Sequence, residues 1–246
     1  MSSVLVQSEP QELDFDERVE AVLNLTLSWE RSAETHIRQL LGSHTDTKPS
    51  RPLMIAIVGI PGSGKSTCSN ALRCFFEDSG CLVLPHDGYH YTIDQLKTFE
   101  NADDAIYRRG APDTFDTTAL LRDLCRIREG AEETIRLPGF EHSVGDPIAD
   151  MHEFHRNEHR IVICEGLYLL HDEDGWEEMA NFFDYTVFVD ADVDKCMERL
   201  KIRNCCIPGY TPDEIFRRVD AVDRLNALTV DKSRRRAHEI FRAAAF

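Results

Sequence analysis

The sequence predicts an α/β fold of three layers, α/β/α, with a mainly parallel central sheet and an N-terminal helical extension. Three observations point there. From residue 53 onward, strand-length apolar runs alternate with amphipathic helix-length runs, a pattern that builds a parallel sheet covered by helices on both faces. Arg160-Ile161-Val162-Ile163-Cys164 is nearly all apolar, as a strand buried on both faces has to be. Gly59-Ile60-Pro61-Gly62-Ser63-Gly64-Lys65-Ser66 stands between one strand run and one helix run and matches G-x-x-x-x-G-K-[ST], the phosphate-binding loop.

Residues 1–12 lack apolar periodicity and read as disordered. Between Phe15 and Leu41 the apolar residues Phe15, Val19, Val22, Leu23, Leu27, Ala33, Ile37, Leu40 and Leu41 recur at helical spacing. The stretch 1–50 is therefore expected to carry a helix packed on the main domain, residues 51–246. Gly42 to Pro52 reads as a polar linker. Strands are expected at 53–59, 82–87, 133–138, 160–169 and 185–190, and helices at 65–79, 117–129, 175–183, 193–204 and 211–243. Thr211-Pro212-Asp213-Glu214 has the residues of a capping box with proline at the first helical position, so a helix begins there.

At 246 residues, one domain can bury roughly 73% of its unfolded surface and needs no covalent staples. The net charge of −16 argues against nucleic acid or an anionic membrane as the main partner. A phosphorylated ligand must then be held by a local basic cluster. The eight cysteines come without a secretory apolar segment, and Cys68, Cys74 and Cys164 lie in apolar runs, so reduced thiols are expected. No run reaches membrane-spanning length. Arg18 is the first basic residue of an acidic N-terminus, unlike an organelle transit peptide, and the cytoplasm is the expected compartment. Oligomeric state is left open, with a homodimer among the options.

The loop chemistry follows from its residue types. Glycines let the backbone wrap a phosphate chain with several N–H groups turned inward, and the helix start adds a positive dipole end. Gly59, Ile60, Pro61, Gly62, Ser63, Gly64, Lys65, Ser66 and Thr67 would form the nucleotide cradle. Lys65 would supply a cation for the outer phosphates and Ser66 a hydroxyl for Mg²⁺. Two acids, Asp87 and Glu165, stand where parallel strands end, the edge at which ligands of open α/β sheets bind. A carboxylate there can hold Mg²⁺ or accept a proton from an attacking hydroxyl. Each is followed by glycine, which allows close backbone approach.

Asp87-Gly88-Tyr89-His90, Arg108-Arg109-Gly110-Ala111-Pro112-Asp113-Thr114-Phe115-Asp116, Pro138-Gly139-Phe140-Glu141-His142 and Glu165-Gly166-Leu167-Tyr168-Leu169-Leu170 follow the phosphate loop in that order. Together, over about residues 53–230, they resemble the P-loop kinases grouped as phosphoribulokinase, uridine kinase and bacterial-type pantothenate kinase. Within that group the motifs look closer to the pantothenate kinase side, and closest to a poorly characterised kinase-like branch, some members of which are proposed to act on sugars. The resemblance implies ATP and Mg²⁺ as cofactors and Asp87 as general base. It places Glu165 near the metal, and Arg199 and Arg203 in a lid, near 196–212, that closes over the phosphates. It also implies an acceptor pocket of Tyr89, His90, Arg108, Arg109, Phe140 and His142, with one of the two arginines pairing with Asp113 or Asp116. The chain departs from the uridine kinase pattern at Asn204, where that branch tends to have Asp.

His155-Arg156-Asn157-Glu158-His159 matches H-x-x-E-H, an inverted zinc-protease signature. It runs straight into a strand, so a polar loop is expected in place of a zinc helix. The function expected is transfer of the ATP γ-phosphate to an alcohol of a small metabolite: a sugar, nucleoside, pantothenate-like compound or polyol. The alternative is an ATP-binding switch without an acceptor.

Overall fold

The computed structural model describes residues 33–42, 51–141, 144–205 and 209–242. Its centre is a five-stranded parallel sheet: β1 (Leu53–Gly59), β2 (Cys81–Pro85), β5 (Ile161–Gly166), β6 (Tyr185–Asp190) and β7 (Glu239–Arg242), in the order β2-β5-β1-β6-β7. β1 and β5 are buried along their whole length, which explains their unbroken apolar composition. Their side chains alternate between two cores. Met54, Ala56 and Val58 join Val162, Cys164 and Phe188 on one face. Leu53, Ile55 and Ile57 join Ile161, Ile163 and Val187 on the other.

Helices α2 (Lys65–Phe75), α5 (Thr117–Glu129) and α6 (Val193–Asn204) start where expected. Residues 33–42 are helical, α1, and bury Ala33 and Ile37 against Leu72 and Phe76 of the second core. The remainder of the expected N-terminal helix lies outside the described residues. Two short helices, α3 (Ile93–Leu96) and α4 (Ala102–Tyr107), cross the loop that follows β2.

Several expected elements differ. The strand near 133–138 does not enter the central sheet. It forms β3 (Thr134–Glu141), paired antiparallel with β4 (Asp146–His155) as a separate ribbon. β4 is largely exposed, so burial imposed no alternation on its sequence. The expected helix 175–183 reduces to one 3₁₀ turn, Met179–Phe182. The expected helix 211–243 divides into α7 (Pro212–Arg218), a π turn (Val219–Asp223), α8 (Arg224–Lys232), a 3₁₀ turn (Ser233–Arg236) and edge strand β7. β7 buries only Phe241, too little signal to override the helical spacing before it. His155 ends β4, and residues 156–160 turn into β5, which agrees with the loop reading of H-x-x-E-H. No helix among the described residues is long and apolar enough to cross a membrane.

Candidate active site

The parallel register sets Gly59, Asp190, Glu165 and Pro85 along one rim, since Gly59 pairs with Val189, Ile57 with Glu165, and Pro85 with Glu165. Gly62 and Gly64 take left-handed φ values of 80° and 93°, which L side chains rarely adopt. A Cβ on Gly59 would come within 2.8 Å of Val189 O, and one on Gly62 within 2.9 Å of Cys196 O. The loop thus packs directly on β6 and on α6. Beside it opens a cavity of about 280 Å³ lined by Gly62, Gly64, Lys65, Ser66, Thr67, Arg199, Leu200 and Arg203.

The donor set fits a polyphosphate and a divalent cation. α2 begins at this cavity with no side-chain cap and no acid in its first turn, leaving a helix N-terminus suited to an anion. Ser63 Oγ is buried without a hydrogen-bond partner. Lys65 Nζ donates to Ile60 O at 3.2 Å. Burial lowers its pKa, against the opposing pull of Glu165 and Asp87. Ser66 Oγ donates to Glu165 Oε1 at 2.9 Å, so a hydroxyl and a carboxylate, both hard oxygen ligands suited to Mg²⁺, already meet. Arg199 reaches in from α6 to Gly62 O at 3.3 Å, and Arg203 stands one turn on, with Nε on Asn204 Oδ1.

Asp87 follows β2 in a 3₁₀ turn, His86–Tyr89. Burial alone would raise its pKa. The His86 contact, and after it the charge of Lys65, outweigh that and hold the carboxyl well below the usual range, so it is ionised at neutral pH. Both glycines behind the rim acids are needed for close approach. A Cβ on Gly88 would meet Pro138 O at 2.7 Å, and one on Gly166 would meet His86 Cγ at 2.4 Å.

The expected acceptor residues divide. His90 and Phe140 stand beside Asp87: His90 Nδ1 lies 2.8 Å from Asp87 O, and the two rings are 5.3 Å apart. Burial lowers the His90 pKa to about 4, leaving a neutral imidazole. Tyr89 is corrected: it is 3% exposed, and its hydroxyl donates to buried Asp123 at 3.2 Å, so it belongs to the core. Arg108 is corrected too. Its guanidinium is engaged by Asp113 at 2.8 and 2.9 Å and by Asp104 at 2.7 Å, the structural pairing expected for one of the two arginines. Arg109 lies over Phe140 but is held by Asp146, Gly145 O and Tyr91 O. His142 lies outside the described residues, as do residues 206–208 of the lid region.

Three contributors were not foreseen. Asp146 arrives from β4 to cover Arg109. His86 is buried at the end of β2. Asp223, in the π turn, has its carboxyl pushed up by burial and drawn down by Arg218 and Arg203. None belongs to a local motif, and π turns concentrate at functional sites.

The model of the phosphoribulokinase / uridine kinase family matches residues 54–244. "Putative uridine kinase C227.14" of Schizosaccharomyces pombe is 29% identical over 192 residues, covering 76% of this chain and 81% of the relative. A pantothenate kinase of Levilactobacillus brevis is 29% identical over 146 residues, 57% of this chain and 46% of the relative. The crystal structure of a "putative fructose transport system kinase" from Silicibacter sp. TM1040 superposes with a TM-score of 0.72 at 28% identity, covering 84% of this chain and 98% of the other. The chain belongs to the phosphoribulokinase / uridine kinase family and is an ATP-dependent small-molecule kinase.

Proposed function

We propose that the enzyme transfers the γ-phosphate of MgATP to a hydroxyl of an uncharged polyhydroxylated metabolite, of the sugar or nucleoside kind. The phosphate chain would lie in the loop 59–67, with Lys65, Arg199 and Arg203 neutralising charge on the oxygens of the transferring group. Ser66 and Glu165 would hold Mg²⁺, which supplies charge neutralisation across the outer phosphates. Asp87 would accept a hydrogen bond from the acceptor hydroxyl and fix its angle of attack. An acid of such low pKa is a weak base at rest. It takes the proton as the new O–P bond forms, the bridging O–P bond to ADP breaks, and the acceptor oxygen becomes acidic. Closure of the α6 arginines would exclude water as a competing acceptor.

One observation carries the acceptor class: the neighbouring cations are already neutralised. Arg108 is paired with Asp113 and Asp104, and Arg109 with Asp146. A carboxylate acceptor would have to displace one of these acids. Asp87 is anionic, and the neutral His90 and Phe140 offer a hydrogen-bonding, partly aromatic wall that suits a sugar ring or nucleoside. The test is ADP release from MgATP with D-fructose, D-ribose, uridine and glycerol in one set, D-glycerate and pantothenate in the other. Stimulation confined to the neutral set is expected. Stimulation by the acids alone overturns the acceptor class. ADP release that no compound raises overturns acceptor phosphorylation in favour of a nucleotide switch.

A further inference from the structure

His86, 1% exposed, sits in an aromatic box between Asp87 and the backbone that follows Glu165. Its ring stacks on Phe115 at 4.5 Å and lies 6.2 Å from Tyr168 and 5.9 Å from Trp176. Its remaining face presses on the Gly166 backbone, where even a methyl group would clash. The Leu167 N–H, two residues past Glu165, donates to His86 Nε2 at 3.4 Å. An Nε2 that accepts carries no proton, so in a neutral ring the proton sits on Nδ1. Nδ1 lies 2.9 Å from Asp87 Oδ1, off the line of a good hydrogen bond, and has no other partner.

We propose that His86 is a positioning residue for phosphoryl transfer. Held by the β5 side of the rim through Nε2, it points Nδ1–H at Asp87 Oδ1 and leaves Oδ2 for the acceptor hydroxyl. The bent contact straightens when the acceptor sets the carboxylate plane, as hydrogen bonds at unliganded sites commonly tighten on binding. His86 touches no substrate. It acts through Asp87, and the inference rests on the assignment of Asp87 as base.

Long-range ¹H–¹⁵N spectra of histidine-labelled protein at pH 7, with His86 identified by its loss in His86→Asn, test the contact without any acceptor. A neutral Nδ1–H tautomer is expected; an Nε2–H tautomer or an imidazolium overturns the inference. Kinetics with MgATP and D-fructose, D-ribose or uridine test the consequence. His86→Leu should lower kcat about 10- to 100-fold, the cost of a slightly misplaced group, with KM for ATP within about threefold. His86→Asn, whose Nδ2 falls where Nδ1 stood, should restore most of the rate. His86→Gln, whose donor falls where Nε2 stood, should not. A merely structural ring would make these rates follow melting temperature and would not separate Asn from Gln, and either result overturns the proposal. The double variant His86→Leu with Asp87→Asn should be no slower than Asp87→Asn alone; added losses refute action through Asp87. If Asp87→Asn alone keeps the wild-type rate, the base assignment fails, and the tautomer still judges the His86 contact separately.

Discussion

Two helix starts in this molecule are built in opposite ways. At α7, Thr211 accepts from Glu214 N–H at 3.3 Å, Glu214 accepts from Thr211 N–H at 2.8 Å, and Pro212 occupies a position that needs no donor. Two acids, Asp213 and Glu214, complement the dipole. At α2 the corresponding residue is Gly64, left-handed and without a capping side chain, followed by a lysine whose burial disfavours its own charge. The first start is completed by its own sequence. The second is left for an anion to complete. Substitutions at the α2 end should therefore change ligand chemistry and spare the fold, and those at the α7 end should do the reverse.

The largest effect is expected opposite the incomplete end. Asp87→Asn keeps the shape of the rim but removes the charge proposed to receive the proton. Phosphoryl transfer to the accepted hydroxyl compound should fall about 10²- to 10⁴-fold, while ATP affinity by calorimetry stays within a few-fold. Unchanged turnover would remove Asp87 from the chemistry and leave α2 as a nucleotide site only.

Lys65→Met should separate the two kinds of helix start further. A charged hydrogen-bond partner of the phosphates is worth about 1.5–3 kcal/mol, so MgATP affinity should drop about 10- to 100-fold. The empty protein should respond with the opposite sign. Because the folded-state pKa of Lys65 is lowered, the folded chain binds fewer protons than the unfolded one in the window below the ordinary value of 10.5. Stability of the nucleotide-free wild type should therefore rise with pH toward that value. Lys65→Met should flatten that rise and cost no melting temperature at neutral pH, while losing the upward shift that MgATP gives the wild type. A variant that melts lower without nucleotide yet keeps the full MgATP shift would show that Lys65 is structural.

The same contrast explains what was readable in advance. The loop 59–66 and the box 211–214 are local: their geometry follows from glycines and capping residues a few positions apart. Ser66 and Glu165, 99 residues apart, were both legible because each closes a recognisable strand-to-helix or strand-to-loop pattern. Arg109–Asp146 and His86–Leu167, 37 and 81 residues apart, were not. Asp146 sits on the largely exposed β4, where no burial shaped a pattern, and His86 read as the end of a strand. Tyr89 was misassigned for a related reason. Its motif places it on the rim, but its side chain turns inward to Asp123, a buried partner that local spacing does not reveal.

The smallest effect should come from the self-completed end, and there the sign of the readouts reverses. Thr211→Ala removes the side-chain acceptor for Glu214 N–H and leaves Glu214 reaching back to a backbone donor alone. Losing such a cap typically costs about 1 kcal/mol. Chemical denaturation should show a lower midpoint with unchanged slope, since the buried surface is the same. ATP affinity should stay at the wild-type value if α7 serves only as a scaffold. Arg218, in the last turn of α7, donates to Arg109 O at 2.8 Å and so ties this helix to the proposed acceptor wall. If that link carries strain, Thr211→Ala should raise KM for the hydroxyl acceptor while KM for ATP stays fixed. A parallel rise in both would mean that α7 supports the phosphate cradle, and the division between a ligand-completed and a self-completed helix start would fail.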